Sequence, residues 1–172
     1  MRLACTAPPS PSAVNVLAEL ALEQLAQGRQ EAARRVTEDA LNLLRTTAGR
    51  DRIAAAHASL LVGDALLGLH EAHRAKAAFD EAACTFDDSE PSPASLAGAA
   101  QARLGAARAL LMLGDPSARA LLEDAGEIFE ELGDEETVRS IDRELRAIQA
   151  QLEESPRSFH SASMRVAAPN AA

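Results

Sequence analysis

The chain has no tryptophan and no tyrosine, and only four phenylalanines among 172 residues. A core must therefore be built from alanine and leucine, with valine, isoleucine and the phenylalanines as filler. Alanine and leucine are also strong helix formers, while the β-branched and aromatic residues that favour strands are sparse. An all-α fold is the expectation. Too few rings are present to stack bases, and a net charge of −9 repels a polyanion. Nucleic acid is thus excluded as a partner, and the acidic balance favours solubility and basic partners. Cysteine is also scarce. Cys5 and Cys84 form no motif and are expected to be free thiols in a reducing compartment, with a disulfide between them as the alternative. Long apolar runs are missing too: the uncharged stretch from Ile53 to Gly63 is too short to span a bilayer. Leu3-Ala4-Cys5 faintly echoes a lipoprotein cleavage site, but no basic and apolar leader precedes it, and Pro8, Pro9 and Pro11 exclude a signal helix there. A soluble, cytoplasmic protein without membrane insertion is expected, and the length suits one domain.

What is present is a recurrence of small residues. Ala33 and Ala40 are seven apart, as are Ala75 and Ala82, and Ala118 and Ala125. Ala21 and Gly63 each lie 12 residues before their pair, and Ala107 lies 11 before its own. Between each small residue and its pair falls a break: Gly28-Arg29, Leu69-His70 and Gly114-Asp115-Pro116. This reads as helix, tight turn and helix, written three times. Such units stack into an α-solenoid, which far more often binds than catalyses.

Residues 1–11 are expected to be disordered, since prolines crowd them. Ser12 is the expected N-cap of a first helix running to about Gln27, and Gly28 ends it in a left-handed cap. The partner helix covers about Gln30 to Arg45, and Gly49 stops the run. Asp51 caps a third helix over Arg52 to about Leu69, and a fourth spans about Glu71 to Phe86. Ser92 followed by Pro93 is a strong start signal for the fifth, which runs to Leu113. Ser117 or Pro116 opens the sixth, which ends at Gly133. A seventh follows Asp134, with Val138, Ile141, Leu145, Ile148 and Leu152 in one narrow stripe. It caps the flank of the sixth helix; alternatively, its heptad-like spacing forms a homodimer through 138–152. Pro156 is expected to end it, leaving 155–172 as a flexible tail.

This pattern resembles the tetratricopeptide repeat (TPR) family over about residues 12–154. Ala21, Gly63 and Ala107 match the small residue at which that family's two helices cross closely, and the alanine pairs match those of its second helix. Phe79 and Leu122 match the bulky residue between them, with Thr37 a weak match in the first repeat. Stretches such as Ile128-Phe129-Glu130-Glu131-Leu132-Gly133-Asp134 are similar to the repeats of bacterial regulators and kinesin light chains. The spacings, 42 and 44 residues, exceed the roughly 34 of the short form and suit its long-repeat branch. Ser59 and Arg103 stand where a large residue is common. The resemblance implies a right-handed α-solenoid of three repeats, at about 12–46, 52–88 and 93–133, with a capping helix over 134–154.

It also implies that the first helix of each repeat lines a concave groove. Four rows then run across the repeats: Asn15, His57 and Gln101; Ala18, Leu60 and Leu104; Leu22, Asp64 and Arg108; and Leu25, Leu67 and Leu111. Apolar rows flanking polar ones suit a helix or peptide segment of a protein partner. The plainer reading is that Leu60 and Leu111 pack inward or against the seventh helix. Asp64 and Arg108 are expected to pair. A second candidate is the acidic run Glu123, Asp124, Glu127, Glu130, Glu131, Asp134, Glu135 and Glu136, which is either a solvated face or a dock for a basic segment.

Nothing points to catalysis, a metal or a cofactor. His57 and Ser59 point to different faces of one helix, so with Asp64 they form no triad. His70 and His73 lack further ligands. An adaptor or scaffold subunit is the leading reading. A small acidic chaperone resembling those of secretion systems and the ligand-sensing domain of a regulator are the alternatives.

Overall fold

Helix boundaries in this chain are written by short polar side chains and by residues that accept a positive φ. The computed structural model describes residues 10–47 and 51–163. They form α1 (Pro11–Ala26), α2 (Gln30–Thr47), α3 (Arg52–Gly68), α4 (Ala72–Asp87), α5 (Pro93–Leu113), α6 (Ala118–Glu131) and α7 (Glu135–Ser163), with no strand among them. The Asp51 carboxylate accepts from the Ala54 amide at 3.0 Å and starts α3. Ser92 and Ser95 satisfy each other's amides at 3.1 and 2.9 Å, a capping box that starts α5. Asp134 accepts from the Thr137 amide at 3.1 Å and its hydroxyl at 2.8 Å, starting α7.

Four helices end in the same turn. Gly28, His70, Gly114 and Gly133 take φ of 72°, 60°, 70° and 75°. In each, the next amide reaches back to a carbonyl five residues earlier, as Arg29 does to Gln24 at 2.8 Å and Glu71 to Leu66 at 2.9 Å. This left-handed cap satisfies the last carbonyls of the helix. His70 does without glycine what the other three do with it.

Some expected boundaries are corrected. α1 begins at Pro11, with Ser10 in the N-cap position, so Ser12 lies inside the helix. A proline in the first turn has no amide to lose and its φ is already helical. Residues 10 and 11 are therefore not part of a disordered leader; the rest of that expectation, with Cys5, lies outside the described residues. At α6 Ser117 holds the N-cap position, as expected; its amide and hydroxyl donate to the Asp115 carboxylate at 2.9 and 2.6 Å, which fixes the turn before the helix. α7 passes through Pro156 to Ser163. A proline forfeits its own backbone bond, while residues beyond it retain theirs. The expected tail is thus helical as far as Ser163, and its remainder, like the Gly49 stop, lies outside the described residues.

Packing follows chain order. α1, α3 and α5 stand side by side, α2 packs on α1 and α3, α4 on α3 and α5, and α6 on α5 and α7. The recurring small residues sit at these crossings. Ala21, Ala33, Ala40, Ala75, Ala82, Ala107 and Ala125 have no exposed surface, Ala118 almost none, and Gly63 is buried.

Each alanine pair brackets a larger buried side chain and is followed four residues on by another: Thr37 and Leu44, Phe79 and Phe86, Leu122 and Phe129. Thr37 fits because its hydroxyl donates to the Ala33 carbonyl at 2.9 Å. The phenylalanines of α4 fit because glycines face them. A Cβ built on Gly63 would lie 2.6 Å from Phe79 Cζ, and one on Gly105 2.5 Å from the same atom. Gly98 makes the same room for Phe86, whose ring meets His57 edge-on at 4.9 Å. The result is one apolar cluster across α1–α5 and a second joining α5, α6 and α7.

The α7 stripe belongs to that second cluster. Ile141 is 2% exposed, and Val138, Leu145 and Ile148 pack beside it. From Val138 to Ile148 the stripe is turned to α6; the side chain of Leu152 lies outside the described residues. Among the described residues no helix is long and apolar enough to cross a membrane.

Candidate binding face on the odd helices

The candidate rows lie on α1, α3 and α5, which pack side by side. Their accessibility differs sharply. In the first row Asn15 is half-buried, and His57 and Gln101 are exposed. The second row, Ala18, Leu60 and Leu104, is 1%, 4% and 6% exposed and belongs to the two clusters. These residues support the face from beneath rather than lining it. Leu22, Asp64 and Arg108 in the third row are half-buried, as are Leu25, Leu67 and Leu111 in the fourth. Leu67 leans on the first cluster and Leu111 on the second.

The expected Asp64–Arg108 ion pair is not formed. Arg108 turns instead to α7, where Nη2 donates to Glu144 Oε1 at 2.7 Å and Nε to the same oxygen at 3.2 Å. A forked guanidinium takes a carboxylate in two-point contact better than a distant charge. Asp64 is left half-buried without a hydrogen-bond partner among the described residues. Burial pushes its carboxyl above the usual carboxylate range, and the nearby charge of Arg108 opposes that only in part. The sequence does not mark Glu144 as a partner of Arg108. Position in α7 alone carries no sign that it faces α5, because the two helices are separated in sequence by all of α6.

A hollow of about 540 Å³ opens where α7 crosses this face. Gln101, Leu104 and Arg108 form one wall, and Phe129, Thr137 and Ser140 contribute to the others. The α7 helix thus takes up part of the odd-helix surface while capping α6.

The acidic run lies apart from the rows. All eight of its carboxylates are exposed. Glu123 pairs with Arg119 at 2.8 Å and Glu135 pairs with Arg139, each one helical turn away. Asp134 is occupied as a helix cap, and the Thr137 amide and hydroxyl hold its carboxyl below the usual range. The run is thus spread over α6, the turn after it and the start of α7.

His57, Ser59 and Asp64 are not brought together: His57 is exposed against Phe86, Ser59 is buried, and no hydrogen bond links the three. His70 and His73 are both exposed at the α3–α4 turn. Cys84 is a free, exposed thiol on α4. No protein-family model, curated protein or solved structure matches this chain.

Proposed function

We propose that the protein is an interaction module, an adaptor or scaffold subunit that holds a helix or peptide segment of a partner protein along α1, α3 and α5. In this reading the helices form a right-handed α-solenoid of three TPR-like units closed by α7, working in the cytoplasm without catalysis or cofactor. The observation that carries it is the pair of rows Leu22–Asp64–Arg108 and Leu25–Leu67–Leu111. Each row crosses three neighbouring helices, stays partly open, and sets apolar side chains beside one carboxylate and one guanidinium. Spaced apolar anchors with polar register marks are what a groove offers an amphipathic segment.

The test is capture from native lysate with mass spectrometry, using the wild-type chain and Leu22→Glu with Gln101→Glu. Neither position is fully buried, so helical circular dichroism should persist while the partner is lost. Unchanged capture by the double variant would show that the odd helices are not the binding face.

A further inference from the structure

The helices α2 and α4 flank α3 without closing over it. Arg74 bonds Glu38 at 2.6 Å and Arg34 bonds Glu71 at 3.1 Å, tying the start of α4 to the first half of α2. No Cα of α2 comes within 8 Å of one in α4. Two hollows of about 340 and 250 Å³ occupy the cleft and share Leu44 and Glu81. None of the residues on the proposed partner face lines either hollow.

The larger hollow exists because short side chains meet there: Ala55, Ala56 and Ser59 from α3, with Cys84 and Thr85 from α4. Its distinguishing group is Ser59. That residue is 3% exposed and lines the hollow, yet its hydroxyl makes no hydrogen bond among the described residues. A helical serine ordinarily satisfies itself on a carbonyl one turn back, as Thr85 does on Glu81 at 3.0 Å. The Ser59 hydroxyl keeps both its donor and its acceptor free. At the rim, Arg52 is held by Asp88 at 3.3 Å. Glu81 forms no ion pair among the described residues, and Arg45 borders only the smaller hollow. The charge left to complement in the larger hollow is negative.

We propose that this hollow binds a small organic ammonium compound with an apolar body and a hydrogen-bonding group at its far end. Glu81 takes the ammonium, Leu44, Ala55 and Ala56 surround the body, and Ser59 meets the far polar group. A volume near 340 Å³ lies in the range of small-molecule sites.

Cys84, which lines the hollow, provides the readout. In a Cys5→Ser chain it is the sole thiol, and its alkylation by iodoacetamide at neutral pH can be timed by mass spectrometry. Tyramine carries all three features, phenethylamine lacks the hydroxyl, and 3-(4-hydroxyphenyl)propionate replaces the ammonium with a carboxylate. Tyramine should slow alkylation in a saturable way, phenethylamine less well, and the propionate not at all. Glu81→Gln should raise the tyramine concentration for half-protection about tenfold. Ser59→Ala should bring tyramine down to the level of phenethylamine. No protection by millimolar tyramine overturns the proposal. So does equal protection by the propionate, or protection indifferent to both substitutions.

Discussion

Replacing Gly105 by alanine sets two physical effects against each other. Alanine is favoured over glycine inside a helix by about 1 kcal/mol, and Gly105 lies in the middle of α5. Propensity alone predicts stabilisation. The new methyl, however, would lie 2.5 Å from Phe79 Cζ, far inside van der Waals contact. The ring cannot retreat. It is 1% exposed, and a Cβ on Gly63 opposite would be 2.6 Å from it. Forcing a methyl into a filled core costs about 1–3 kcal/mol, and a ring pinned on both sides belongs at the upper end. The net expectation is a loss of about 2 kcal/mol, or roughly 4–8 °C in Tm for a chain of this size. Urea titration followed at 222 nm should show a lower midpoint with an unchanged slope. Shrinking the ring should rescue: Gly105→Ala with Phe79→Leu should be more stable than the two single losses added together. A neutral or stabilising Gly105→Ala, or strict additivity in the double variant, would refute the idea that paired glycines seat Phe79.

Gly126→Ala should act in the opposite sense, because its methyl would meet Ile141 Cγ2 at an ordinary 3.6 Å; a gain of about 0.5–1 kcal/mol in urea melts is expected. His70→Gly should stabilise by about 1 kcal/mol, since φ of 60° is strained for any side chain; an unchanged urea midpoint would count against strain there. Asp64→Asn should stabilise the protein at neutral pH. Burial raises the folded-state pKa of Asp64 above the ordinary 3.8 of an aspartate, so the charged form destabilises at pH above that raised value. The penalty fades as pH falls through the raised pKa towards 3.8, and the advantage of the asparagine variant should shrink over that window. Truncation after Gly133 should unfold or aggregate the chain, because it strips Ile141 and its neighbours from Leu104, Leu122 and Phe129 and forfeits at least about 3 kcal/mol of burial. Removing 155–172 should leave the melting temperature within a degree or two.

The turns and the crossings were readable because each depends on a residue type that few others can replace. Gly28, Gly114 and Gly133 announce a left-handed cap, and alanines seven apart announce a close approach. Asp51, Ser92 and Asp134 announce helix starts through one short side chain reaching a nearby amide. These signals are local, so a single stretch of sequence contains them. Gly63 was legible as a close crossing, but the purpose of Gly98 and Gly105 was not. Each is explained by a phenylalanine on another helix, and no local rule links them. Pro11 and Pro156 misled for a related reason: a proline forbids a particular hydrogen bond, and whether that bond was needed depends on its place in the helix.

The candidate rows were harder to read because a helix in the middle of a packed series has no single inner face. α5 meets α3, α4 and α6 along its length and reaches α7 through Arg108. Buried residues therefore ring it: Ala99, Ala100, Ala102, Leu104, Ala106, Ala107, Ala109 and Leu110 all lie under 9% exposure. A periodicity argument assumes one apolar stripe and one free arc; around α5 the arcs of its neighbours overlap and consume the free one. α1, at the end of the series, buries fully only Val14, Ala18 and Ala21, and leaves Val16 63% exposed. The same row position is therefore worth different things on α1, α3 and α5. Towards α1 a ligand would find side chains with room to move, and towards α5 it would meet Arg108 already committed to Glu144. A segment bound across all three helices must then gain its apolar contacts at Leu22, Leu25 and Leu67. At the α5 end it must either accept the Arg108–Glu144 pair as a wall or displace it, while Asp64, which forms no ion pair among the described residues, stands beside Leu67 to meet a basic residue.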